Sequence, residues 1–155
     1  MDDETRLIYF GFFNEIGILS QLSRAAMEAR LPEGLMLPHF SVLNHLTRVR
    51  DGQTPNTLAR AFQVPKTTMT HTLTGLVKHG LVEMRPNPKD GRSKRVWLTD
   101  QGRRFREEAI RALDPDVQRL ATAIPPDRIA VLLPTLAEVR TFMDEDRSRD
   151  DDAEE

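Results

Sequence analysis

The chain has 155 residues, 39% of them hydrophobic and 30% charged, with no cysteine and a formal net charge of −2. That length suits one domain, or a small domain with a dimerisation element, and the composition is ordinary for a soluble globular protein. The lack of cysteine excludes disulfides, thiolate zinc sites and thiol redox switches, and no apolar run approaches the ~20 residues that span a bilayer.

The acidic start, Met1-Asp2-Asp3-Glu4, is unlike a secretory signal, so a cytoplasmic protein is expected. Over 7–30 no proline interrupts a helix-like pattern that includes Leu7, Ile8, Phe10, Phe12, Phe13, Ile16, Leu19 and Leu22. Too much of that circumference is apolar for a helix with one wet side, which predicts one face in its own domain and another in a partner chain. Leu31-Pro32-Glu33-Gly34 breaks it, and Pro38, Phe40, Leu43 and Leu46 mark a second helix. After the turn signal Asp51-Gly52, Thr54-Pro55 reads as an N-cap and first turn of a third helix carrying Leu58, Ala59 and Phe62. A short break at Gln63-Val64-Pro65 precedes a fourth helix over 66–79, stopped by Gly80. Two short helices joined so tightly predict a helix-turn-helix.

In the fourth helix, Met69, Leu73, Leu76 and Val77 form the expected buried face, and Lys66, Thr67, Thr68, Thr70, His71 and Thr74 the exposed one. Alternating strands are expected over 81–85 and 95–99, joined by a long basic tip over 86–94. Helix resumes near Asp100, with Pro115 predicting a kink or restart. Pro125-Pro126 breaks the chain before a last helix in which Pro134 predicts a bend. The tail over 144–155 holds eight acids and two arginines and is expected to be disordered.

Charge is distributed unevenly. Residues 54–104 carry ten Lys or Arg against three acids, a net +7 that leaves −9 on the remainder. A basic middle in an acidic protein is an electrostatic footprint for a polyanion. A helix fits the major groove of duplex DNA, and a positive hairpin tip can reach a neighbouring minor groove. Lys66 at the helix start suits phosphate or guanine, the threonines suit phosphate or thymine methyls, and His71 suits a base edge or a phosphate. Lys89, Asp90, Arg92, Lys94 and Arg95 are the candidate contacts of the hairpin. There the Asp90 carboxylate can hold backbone amides while Arg92 projects outward.

In order and spacing, Leu58-Ala59, Lys66-Thr67-Thr68-Met69-Thr70, Gly80-Leu81-Val82, Pro88-Lys89-Asp90-Gly91-Arg92 and Leu98-Thr99-Asp100-Gln101-Gly102 resemble the pattern of the MarR family. Gly34-Leu35, His39-Phe40 and Val42-Leu43 are similar to its second-helix entry. The resemblance covers about 5–143. It implies a mainly α fold with a small β-wing: a winged helix-turn-helix domain plus N- and C-terminal dimerisation helices. It also implies a homodimeric regulator of transcription, a repressor in this reading, with a recognition helix at 66–79 and a wing arginine at Arg92. The expected segments are 1–35 and 101–143 for dimerisation, with 36–100 for a pseudo-palindromic DNA operator. An alternative is a winged-helix protein-interaction module without specific DNA binding.

Members of that family often bind small aromatic or anionic effectors between the dimerisation helices and the DNA-binding lobe. Phe12, Phe13, Ile16, His39, Phe40 and Leu43 are the candidates to line such a cleft, with core packing as the plainer alternative. No cofactor is expected. His39 and His45 are six apart, which is not one helix face, and no cysteine or nearby acid completes a metal set. A glycine-rich phosphate loop, a nucleophile elbow and an apolar carboxylate pair are all absent, so no enzyme is expected.

Overall fold

The computed structural model describes residues 1–153, with side chains to residue 146. Its contacts divide the chain into two compact units, Met1–Leu113 and Asp114–Glu155. Among the described residues no helix is long and apolar enough to cross a membrane.

In the first unit, α1 (Asp3–Glu28) starts at Asp2, whose carboxylate accepts from the Thr5 amide at 2.7 Å. Only Met27 of α1 is buried, so the expected intradomain face shrinks to its C-terminal end. Leu7, Ile8, Phe10, Leu19 and Leu22 stand exposed. Helix α2 (Leu37–Arg48) buries His39, Phe40, Val42, Leu43 and Leu46. Helix α3 (Pro55–Ala61) begins as its sequence predicts, with the Thr54 hydroxyl accepting from the Thr57 amide at 3.2 Å. Gln63, with φ +52, makes the turn into α4 (Lys66–Lys78). Pro65 is the residue before that helix and lends no side-chain cap. Gly80, with φ +67, ends it: the Leu81 amide donates to the Leu76 carbonyl at 2.9 Å, closing the last turn through a left-handed residue.

Strands β1 (Val82–Asn87) and β2 (Asp90–Leu98) pair antiparallel from Val82↔Leu98 to Pro86↔Lys94, and then Asn87↔Asp90. The long open tip expected over 86–94 is thereby corrected: the strands run almost to the end and leave only Pro88-Lys89 as the turn. Polar side chains that alternation cannot reveal carry the pairing that far. The register shift after Pro86 sets Gly91-Arg92-Ser93 out of the ladder as a bulge.

The Thr99 hydroxyl caps α5 (Asp100–Arg111), accepting from Gly102 N at 2.9 Å and donating to the Gly80 carbonyl at 2.7 Å. Arg106 Nε donates to Asn44 Oδ1 at 3.0 Å, tying α5 to α2. Helix α5, which the sequence groups with the C-terminal dimerisation segment, therefore packs in the first unit. The main core joins α2, α3, α4 and both strands around Leu43, Leu46, Leu58, Leu76 and Val96. A smaller cluster joins Met27, Phe40 and Ala109.

The second unit contains α6 (Asp114–Ala123), α7 (Pro126–Ala130) and α8 (Leu133–Ala153). The restart predicted at Pro115 is present. The single last helix is instead two, divided at Val131-Leu132, which puts Pro134 in a first turn where proline is tolerated. Helix α8 continues through Ala153, where composition leads one to expect disorder; the last two residues of that tail lie outside the described residues.

Candidate nucleic-acid interface

Helix α4 turns Met69, Thr72, Leu73 and Leu76 into the core. Val77, expected on that face, is 44% exposed, because it lies at the edge of the stripe. All six residues assigned to the outer face, Lys66, Thr67, Thr68, Thr70, His71 and Thr74, are exposed. Their hydroxyls are not equivalent. Thr70 Oγ1 donates to the Lys66 carbonyl and Thr74 Oγ1 to the Thr70 carbonyl, each at 2.8 Å. Those two therefore offer a methyl group and oxygen lone pairs to an outside partner rather than a hydroxyl proton.

Lys89, Asp90, Arg92 and Lys94 are exposed on the wing. Asp90 Oδ1 accepts from the Arg92 amide at 3.0 Å, and Ser93 Oγ donates to the Asp90 carbonyl at 3.1 Å. The acid thus shapes the bulge from which Arg92 projects. Buried Asn87 braces it from within. Its Nδ2 donates to Ser93 Oγ at 2.8 Å, and its Oδ1 accepts from Lys89 N at 3.2 Å and Arg95 Nε at 3.0 Å. Arg95, assigned to DNA from sequence, is instead half-buried and occupied with Asn87.

The base of the wing rests on the turn that Asp51-Gly52 signals in the sequence. Asp51 Oδ1 accepts from the Gly52 amide at 2.9 Å and the Leu98 amide at 3.0 Å, while Oδ2 pairs with Arg103 at 2.8 Å. Gly52, with φ +70, lies so close beneath Trp97 that a Cβ there would come within 2.5 Å of the indole. The Val96 amide donates to the Gln53 carbonyl at 2.8 Å, adding Gln53 to the free edge of β2. On the hairpin, Arg85 pairs with Glu83 and lies 5.3 Å from the Trp97 ring centre. The sequence assigns no role to Asp51 or Arg103, because Leu98 and Arg103 lie 47 and 52 positions from Asp51.

The six residues proposed for an effector cleft do not form one set. Leu43 lies in the main core and Phe40 in the smaller cluster, and neither cluster includes Phe12, Phe13 or Ile16. Phe12 and Phe13 meet edge to face at 5.2 Å on α1. Buried His39 accepts at Nδ1 from the Met36 amide at 3.0 Å and packs on α4 where Gly75 has no side chain. Burial holds its imidazole below the ordinary value of 6.5, and the neighbouring His79 and His71 push in the same direction. His39 is thus a neutral packing residue between α2 and α4. His45 faces Gln53 and lies 5.3 Å from the Phe62 ring. Among the described residues no group of three His, Cys, Asp or Glu could hold a metal ion.

Residues 33–93, the second helix through the wing bulge, match the model of the MarR family. Over that segment the chain is similar to the MarR family. Wild-type MarR (apo form) from E. coli is similar over 81% of this chain and 94% of its own, with 28% identity and a TM-score of 0.68. The transcriptional regulator BldR from Sulfolobus solfataricus covers 91% of this chain and 99% of its own, at 22% identity and a TM-score of 0.73. PcaV from Streptomyces coelicolor, solved with its natural ligand, covers 81% and 89%, at 22% identity and a TM-score of 0.61. MarR-family members are transcription regulators, not enzymes, and this chain has the winged-helix fold of those regulators.

Proposed function

We propose that this protein is a DNA-binding transcriptional regulator, a cytoplasmic repressor that acts as a homodimer on a pseudo-palindromic duplex site. The observation that carries the reading is the exposed Lys-Thr-His face of α4 together with a wing whose one bulge presents Arg92. In this reading α4 enters the major groove. Lys66, Thr67 and Thr68 meet phosphate near the helix start, while Thr70, His71 and Thr74 face base edges. Lys89, Arg92 and Lys94 approach the narrow, negative minor groove, with Asp90 holding the bulge in shape.

Dimerisation is assigned to 1–35 and 101–143, and DNA binding to 36–100. Two separate observations support the dimer. Helix α1 exposes Leu7, Ile8, Phe10 and Leu22, and the second unit by itself exposes Val131, Leu132, Leu133 and Phe142. Water-facing surfaces this apolar mark contact sites. Release by a small aromatic or anionic effector completes the reading, on the analogy of the ligand-bound relative.

Selection of bound duplexes from a random pool tests it. Sites with two-fold symmetry and half-site centres about one turn, ~10 bp, apart are expected. Enrichment of no sequence, with weak binding that ignores symmetry, would instead favour a protein-interaction module.

A further inference from the structure

We propose that Asp51, outside both DNA-facing elements, is the positioning residue that sets the angle of the wing and so places Arg92. This rests on the DNA-binding reading above. The carboxylate, with only 21% of its side chain exposed, joins three parts of the first unit. One oxygen closes its own turn through the Gly52 amide and grips the last residue of β2 through the Leu98 amide, while the other pairs with Arg103 on α5. Leu98 is the pivot of the hairpin. Beyond it the chain enters α5, and before it the strand runs out to the bulge.

Geometry makes that pivot consequential. Six residues of β2 separate Leu98 from Arg92, a reach of up to about 20 Å at ~3.4 Å per residue. At that radius a rotation of roughly 10° at the base carries Arg92 about 3.5 Å, more than the length of a hydrogen bond. The adjoining contacts share the same turn: Gln53 pairs with Val96, and Trp97 closes over Gly52. Without the carboxylate, the Leu98 amide and the Arg103 guanidinium both lose a charge-assisted partner at the point where the lever is longest.

A double-mutant cycle on the full-length protein separates positioning from general stability. Affinity for the selected duplex is measured for the wild type, Asp51→Ala, Arg92→Ala and the double variant. The same cycle with Lys66→Ala is the control. Asp51→Ala is expected to weaken binding about tenfold alone and less than twofold when Arg92 is already gone, but by its full factor beside Lys66→Ala. Asp51→Asn keeps an acceptor for both amides but sets an NH2 donor where the second oxygen accepted from Arg103, so that ion pair is lost. It is expected to show the same coupling at smaller amplitude, and it replaces Asp51→Ala in the cycle should that variant not fold. A loss of equal size in both backgrounds would overturn the positioning role while leaving the DNA-binding reading intact. Failure of the wild type to bind any duplex would overturn that reading and this inference together.

Discussion

The recognition helix and the wing belong to the same domain, yet different atoms hold them in place. Helix α4 is anchored by Met69, Leu73 and Leu76, which share one core with Leu43, Leu46 and Leu58. The outer wing is anchored by single polar atoms: the Asn87 amide, the Asp90 carboxylate, the Arg95 guanidinium and, at the base, the Asp51 carboxylate. Apolar packing is spread over many contacts and degrades by increments. A polar bridge depends on direction and distance, so the loss of one atom can release a segment. The helix should therefore fail only with the whole domain, and the wing by itself.

The largest expected effect is on the helix side of that comparison. Leu76→Ala opens a cavity in the fully enclosed core and should cost about 2–5 kcal/mol of unfolding free energy in denaturant titration. Loss of α4 structure ahead of the rest of the domain would contradict the shared core. On the wing side, Arg92→Ala should leave the unfolding midpoint unchanged and weaken duplex binding by about 1–3 kcal/mol. The loss should be greatest where A·T pairs narrow the groove.

Asp90→Ala sharpens the contrast. Removing an acid from a DNA-facing surface ought to tighten binding on charge alone. Because Asp90 accepts from the Arg92 amide, the variant should instead weaken binding, by about 0.5–1.5 kcal/mol. Tighter binding by titration would show that the bulge keeps its shape without the carboxylate.

These differences in cohesion also explain what the sequence made legible. Period-3.6 apolar spacing marks α2, α4 and α5, Thr54 and Gly80 mark helix ends, and the exposed face of α4 follows once its buried face is known. Each is a local signal. The sequence predicts a hairpin tip longer than the observed two-residue turn because Asn87, Ser93 and Arg95 hold it by side-chain bonds, which leave no periodic trace. Asp51 and Arg103 are 52 positions apart, and nothing in either neighbourhood announces the other. His39 is a cleft candidate only through the family resemblance, with core packing as the alternative that local spacing cannot decide. The missing side chain of Gly75, 36 positions on, is what lets it lie buried.

That buried imidazole makes stability depend on pH. Its folded pKa lies below the ordinary 6.5, so the unfolded chain binds more protons in between. Stability associated with His39 is then fully present above pH 6.5 and lost as pH falls through the lowered folded value. Denaturant midpoints taken between pH 7.5 and 5 should decline, and His39→Gln should flatten the decline.

The smallest expected effect is at Thr70. Its hydroxyl proton is already given to the Lys66 carbonyl, which leaves the methyl as the group that senses a base. Thr70→Ser and Thr70→Ala should therefore shift base preference alike, by less than about 1 kcal/mol per half-site. A shift with Ala but not with Ser would assign the reading to the hydroxyl.

The central claim, that α4 and the wing together grip a polyanionic duplex through a dimer, is tested most directly by the salt dependence of duplex binding. If each subunit neutralises about four phosphates, the plot of log affinity against log salt should have a slope of roughly −7, from −0.9 per phosphate. A slope shallower than about −2 would contradict that claim.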